Sequence, residues 1–349
     1  MLKKIQTASS DWTEKTLSVL RSKTLEACEK RLEGLFLPSL FSSSVTDKDV
    51  EQIYTGSVYG LCADKKEDRL HTVESTRKTV IDSFPVTLAT LSEQEHDLLV
   101  KIILNGGKCR ISDWNDLIPA EGLIRRLICS VSKSGDTFII QMPHQLVTGA
   151  VLLLASDEHE TMRGIIGDFN DRIEMTLYLN GFLYADFPEK DLQIKLSAAW
   201  HKPIDMSVVR TFILSGYEFC YDASGRLMII HPANAEPLRL ADRCFPYADK
   251  KLIDQNELTA ICDSIDAVEI AIMDHMSGAI ETFLRPELQV KDAAEDLLFL
   301  AKQDVNESEL AVVLSSMISS PLSDSMLVSL HELYTKTPRW LSYSMKLES

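Results

Sequence analysis

One order of elements, readable twice along the chain, constrains what it can fold into more than any other feature. In the first pass Ser92 and Glu95 stand at capping-box spacing ahead of Leu98, Leu99, Ile102 and Ile103, an apolar helical face that ends at Asn105-Gly106-Gly107. A short helix is expected around 112–117 and another over 120–129, with Pro119 between them. Ser134-Gly135-Asp136 then turns into Thr137-Phe138-Ile139-Ile140-Gln141, a strand-like run stopped by Pro143. In the second pass Leu179-Asn180-Gly181 closes an apolar stretch that begins at Ile173, and it answers Leu104-Asn105-Gly106 at an offset of 75. Arg210, in Val208-Val209-Arg210-Thr211-Phe212-Ile213, answers Arg125 at an offset of 85. Ser224-Gly225 with Ile229-Ile230 answers Ser134-Gly135 with Ile139-Ile140 at 90, and Pro143 and Pro232 follow the two strands. Order persists while spacing grows, and the growth falls near 185–203 and 216–222, in loops that tolerate insertion.

Helices followed by a hairpin, in this order, describe a winged-helix unit. The expected class is therefore mainly α (α+β), with winged-helix-like units at 91–155 and 165–240. A helical region at 1–90 and an acidic helical region at 241–349 flank them. In the first of these, Leu17, Leu20, Leu25, Cys28, Leu32 and Leu35 predict an amphipathic helix over 11–35, and 36–60 reads as a connection. In the last, Asp254 and Glu257 cap a helix carrying Leu258, Ile261, Ile265 and Val268, and further helices fit 290–303, 307–318 and 325–335. Residues 281–349 hold eleven acidic against six basic side chains.

The whole chain of 349 residues carries 52 acidic and 36 basic residues, a formal charge of −16. That balance argues against a general polyanion binder, so nucleic-acid contact would need a local basic patch. With 45% hydrophobic and 25% charged residues the chain can bury a substantial core. Seven cysteines are scattered singly, without C-x-x-C pairs, and read as reduced thiols. The first residues lack the apolar core of a secretory signal, and the longest apolar run, 150–155, is too short to span a bilayer, so a cytoplasmic protein with no membrane partner is expected.

Chemistry-bearing patterns are sparse. The sequence has no H-E-x-x-H, no phosphate-binding G-x-x-x-x-G-K-[ST] and no G-x-S-x-G, and its eight histidines lack paired metal spacing. Asp157-Glu158-His159-Glu160 is the densest polar cluster and reads as a solvated loop or helix start, because consecutive residues seldom converge on one ion. Cys220 and His231 flank the second hairpin without a third group to orient them. Tyr217, Phe219 and Tyr221 alternate as in one face of a hairpin strand. No catalytic, cofactor or metal residue is expected on these grounds. Four cations remain as contacts for nucleic acid or a partner: Arg125 and Arg126 on the recognition-helix position, Lys133 at the wing, and Arg210 in the second unit. They are too few for strong phosphate binding.

The course from Leu98 through Gly107 to Met142-Pro143, then to Ile229-Ile230-His231-Pro232, resembles uncharacterised cytoplasmic proteins of Firmicutes, many of which end in a SEC-C zinc motif. The closing Leu330-His331-Glu332-Leu333-Tyr334-Thr335-Lys336-Thr337-Pro338-Arg339-Trp340 is similar to the Thr-Pro-x-Trp segment that ends their helical region. No cysteine cluster follows Trp340, so no zinc is expected. The resemblance implies architecture and no activity. The expected function is a non-enzymatic protein-interaction or regulatory module whose partner is another protein; the alternative is a winged-helix DNA-binding transcriptional regulator.

Overall fold

The computed structural model describes residues 38–340 except 56, 63–71, 113, 136, 235–236, 239, 241–253, 287 and 304. The helix expected over 11–35 lies outside the described residues. The protein is mainly α with two small three-stranded sheets. It divides into two compact units, one gathering the described residues of 38–170 and 185–219, the other those of 171–184 and 220–340.

In the first unit, the stretch expected as a connection holds two short helices, α1 (Asp47–Thr55) and α2 (Val58–Cys62). The start of α1 is fixed by Asp49, whose carboxylate accepts from both the amide (2.9 Å) and the hydroxyl (2.7 Å) of Thr46. Helix α3 (Val73–Ala89) and α4 (Glu93–Leu104) both begin with reciprocal capping boxes, Thr72 with Ser75 and Ser92 with Glu95. Strand β1 (Lys108–Ile111) follows, then α5 (Trp114–Arg125), β2 (Ser130–Ser134) and β3 (Thr137–Gln141). The sheet runs β1-β3-β2, antiparallel throughout. Its register pairs Cys109 and Val131 with Ile140, and Ile111 with Phe138, so one face of the sheet joins Leu98, Leu99 and Ile102 of α4 in a single core.

Two helices were expected between β1 and β2, and one continuous helix stands there. Pro119 lies inside it, where its missing N–H gives up the bond to the Asn115 carbonyl and its ring crowds that carbonyl, costs the packed helix absorbs. Helix α6 (His144–Leu154) comes next, then α7 (Asp157–Asn180), inside which the boundary between the units falls.

The second set comprises β4 (Phe182–Tyr184), α8 (Asp186–Ala199), α9 (Met206–Gly216), β5 (Glu218–Tyr221) and β6 (Leu227–Ile230). Its sheet is ordered β4-β6-β5, so in both sheets the strand last in sequence is central. The buried pairs Phe182–Ile230 and Tyr184–Met228 correspond to Cys109–Ile140 and Ile111–Phe138, which keeps the hairpin offset at 90. Both preceding helices end alike. Asn105 and Asn180 fold their side-chain amides back to the carbonyls four residues earlier (2.7 and 3.0 Å), and a positive-φ glycine follows each. After each sheet the ladder gains one more bond, from the amide of Met142 to the Gly107 carbonyl (2.9 Å) and from that of His231 to Gly181 (3.1 Å). Strand β5 does not show the clean alternation expected of Phe219 and Tyr221; Phe219 is half-buried and Tyr221 is exposed. The set is not contained in one compact unit, since α8 and α9 cluster with the first unit, where α9 packs on α2, α3 and α5.

The remainder is a four-helix assembly: α10 (Gln255–Ile280), capped by Asp254 as expected, α11 (Val290–Lys302), α12 (Glu307–Met317) and α13 (Asp324–Lys336). Leu297, Leu310, Leu314, Met326, Leu330 and Leu333 form its seam. After α13, Trp340 is fully buried with Phe182, Tyr184 and Met228 of the second sheet, and its indole N–H donates to the Tyr178 carbonyl (3.0 Å). Gly181 makes room for it, because a Cβ there would lie 2.5 Å from the indole. Among the described residues, no helix is long and apolar enough to cross a membrane.

Candidate functional site

The four cations expected as contacts meet different fates. Arg126, in the turn that closes α5, is fully buried: its Nη1 donates to Glu95 Oε1 (2.6 Å), and Nη2 lies 3.4 Å from the Thr90 carbonyl. Glu95 thus serves twice, since its Oε2 also accepts the Ser92 amide (2.9 Å) in the capping box of α4. Gly122 is the residue that lets α5 approach this pair, since a Cβ there would fall 1.7 Å from Glu95 Oε1. The expectation that Arg126 contacts a ligand is corrected accordingly. A carboxylate 31 residues upstream turns it inward and makes it a structural tie between α4 and α5.

Arg125 is half-buried and bonded through Nε to Glu121 (3.0 Å) on the preceding turn. Lys133 is exposed beside the hairpin, with its ammonium 5.3 Å from the centre of the Phe138 ring on the paired strand. Arg210 on α9 is half-buried and already engaged. The structure does not gather these side chains into a cationic face. Two cations that pattern reasoning left out of the contact set, Lys108 and Arg110, are exposed on the face of β1 turned away from the core. Their alternation with buried Cys109 and Ile111 was the available signal.

Beside this sheet, α6 presents an unusual surface. Its residues Leu146 and Ala150 are buried in the core, while Val151 is 48% and Leu152 69% exposed. From Ala150 to Leu154 every side chain is apolar, as for a turn covered on both sides, yet one side faces solvent.

Elsewhere the side chains are arranged for structure. Burial and the Asp222 charge raise the Cys220 thiol pKa, the opposite of what a nucleophile paired with His231 requires, and the His231 ring packs on Phe299 and Trp340. Asp222 instead organises the hairpin: its Oδ1 accepts from the amides of Ser224 and Arg226 (both 2.9 Å), and the Ser224 hydroxyl holds its carboxyl below the usual range. Within the second unit Glu269 of α10 is buried, accepting from the Tyr178 hydroxyl on one oxygen and the Lys302 ammonium on the other. Lys302 also lies over the Tyr178 ring (4.3 Å), and burial lowers its pKa although Glu269 opposes the shift. With Lys302 1% and Glu269 3% exposed, this triad has no path to a substrate. No group of three or more His, Cys, Asp or Glu among the described residues could hold a metal ion.

No protein-family profile matches the chain, and no curated protein or solved structure is detectably similar to it.

Proposed function

We propose that the protein is a non-enzymatic interaction or regulatory module of winged-helix type that docks another protein through the outer face of α6. The exposure of Val151 and Leu152 on a last turn whose side chains are all apolar carries this reading. In each set a helix and a strand precede two further strands, the last of them central, with one helix between in the first set and two in the second; this supports the winged-helix assignment, and a place in the cytoplasm and the resemblance to the Firmicutes proteins belong to the same reading. The test is quantitative affinity capture from the native cytosol with wild type and Val151→Asp/Leu152→Asp side by side. A defined partner lost selectively by the variant, at unchanged thermal stability, is the expected result. Identical capture by the two would remove α6 from the reading.

A second reading, duplex DNA binding, is favoured by the exposure of Lys108, Arg110 and Lys133 around the first sheet. Fluorescence anisotropy with random duplex at low and moderate salt decides it. Binding that weakens with salt and fails in Lys108→Ala/Arg110→Ala would replace the first reading, because phosphate contacts release counterions.

A further inference from the structure

The polar cluster at the start of α7 contains a group of donors with nothing to donate to. Helix α7 opens behind Ser156, whose hydroxyl accepts the His159 amide (3.2 Å). Asp157, Glu158 and Glu160 are exposed, but His159 is turned inward and only 2% exposed, and neither of its ring nitrogens has a hydrogen-bond partner. One turn later, Nη1 of Arg163 is also buried without an acceptor. His96, on the first turn of α4, lies close enough for its charge and that of Arg163 to act on His159. Its own Nδ1 sits 3.9 Å from the carboxylate of Asp97, which is 87% exposed and too distant to satisfy it.

Leaving a buried guanidinium N–H and an imidazole unpaired is costly, and native proteins rarely do so without a reason. His159 and Nη1 of Arg163 share one property: each is a donor, or becomes one on protonation, without a hydrogen-bond partner, while His96 faces the exposed Asp97 carboxylate at 3.9 Å. All three belong to the same compact unit. His159 is enclosed, whereas the His96 side chain is 28% exposed to solvent.

We propose that His96, His159 and Arg163 form a binding site for a small tetrahedral oxyanion of the phosphate class. The guanidinium supplies a fixed charged donor, and the imidazoles supply donors whose number rises when the anion draws protons onto them. Burial and the neighbouring positive charges lower the His159 pKa to about 4, and a bound dianion reverses the sign of that local field. The site is independent of the α6 docking face.

The test follows the histidine ring resonances of the full chain by NMR at neutral pH. Sodium phosphate is titrated against sodium chloride at matched ionic strength, with glycerol 3-phosphate in parallel. Saturable movement of the His159 and His96 rings with phosphate alone, weakened at least about tenfold in Arg163→Gln, is expected. If glycerol 3-phosphate moves the same rings, the source is a phosphomonoester head; if it does not, the source is the free ion. Equal movement in chloride, no movement in phosphate, or movement undiminished in Arg163→Gln overturns the site. Should Arg163→Gln fail to fold, His96→Gln on the solvent side serves as the comparison under the same criteria.

Discussion

Glu269 and Lys302 show what a buried charge demands of its neighbours. The carboxylate is saturated by a phenol and an ammonium, so removing one partner leaves the other charged, enclosed and unpaired. Lys302→Met is expected to lower stability by about 3–5 kcal/mol in urea unfolding, with Glu269→Gln/Lys302→Met recovering a substantial part. His159 makes a pH-dependent contribution of the depressed kind. Its ordinary pKa of 6.5 falls to about 4 in the folded state through burial, Arg163 and His96. The unfolded chain therefore binds the extra proton first, and stability present above pH 6.5 is lost as pH falls toward 4. Without phosphate, His159→Phe is expected to flatten this part of the stability–pH curve, measured by denaturant midpoints between pH 4 and 7. Arg126 marks where sequence reading stops at this scale. Adjacent Arg125 and Arg126 look equivalent in sequence, and only the return of Glu95 from another helix separates the half-buried one from the fully buried one.

At the scale of elements, caps and stops were legible because their physics is local. Ser92 with Glu95, Asp254, and the Asn-Gly pairs at 105–106 and 180–181 all act within four residues of chain. Pro119 was misread because whether a helix continues past a proline depends on packing against α4 and β1, which sequence spacing does not carry. Among the described residues two helices end on non-glycine residues with positive φ, Leu127 at 58° and His201 at 52°. His201 is exposed, so relief of its backbone strain is not offset by lost contacts. His201→Gly is expected to stabilise by about 0.5–1 kcal/mol in the same unfolding assay. Leu127→Gly is expected to gain nothing, because Leu127 packs against the cluster of Leu40, Val50 and Val80.

For the molecule as a whole, the excess of 16 negative charges sets a general repulsion that short ion pairs do not remove. Raising sodium chloride from about 20 to 200 mM should therefore raise the urea midpoint, since the Debye length shrinks from roughly 20 Å to below 10 Å. A midpoint that falls would show that attractive pairs dominate. The mainly α class with a little β was legible in the sequence, whereas the strands β1 and β4 that open each sheet, and the division into units, were not. Nothing in the local pattern reveals that α8 and α9 cluster with residues from 38–170 while their own sheet clusters with 220–340.

The burial of Trp340 against Phe182, Tyr184 and Tyr178 fixes an order of events in the making of the protein. The second sheet can pair its strands once residue 230 has been synthesised, but its core lacks its largest side chain for another 110 residues of translation. Until then the apolar surface around Phe182 is uncovered on a growing chain, and a ribosome stalled before Trp340 would hold a nascent protein suited to chaperone capture.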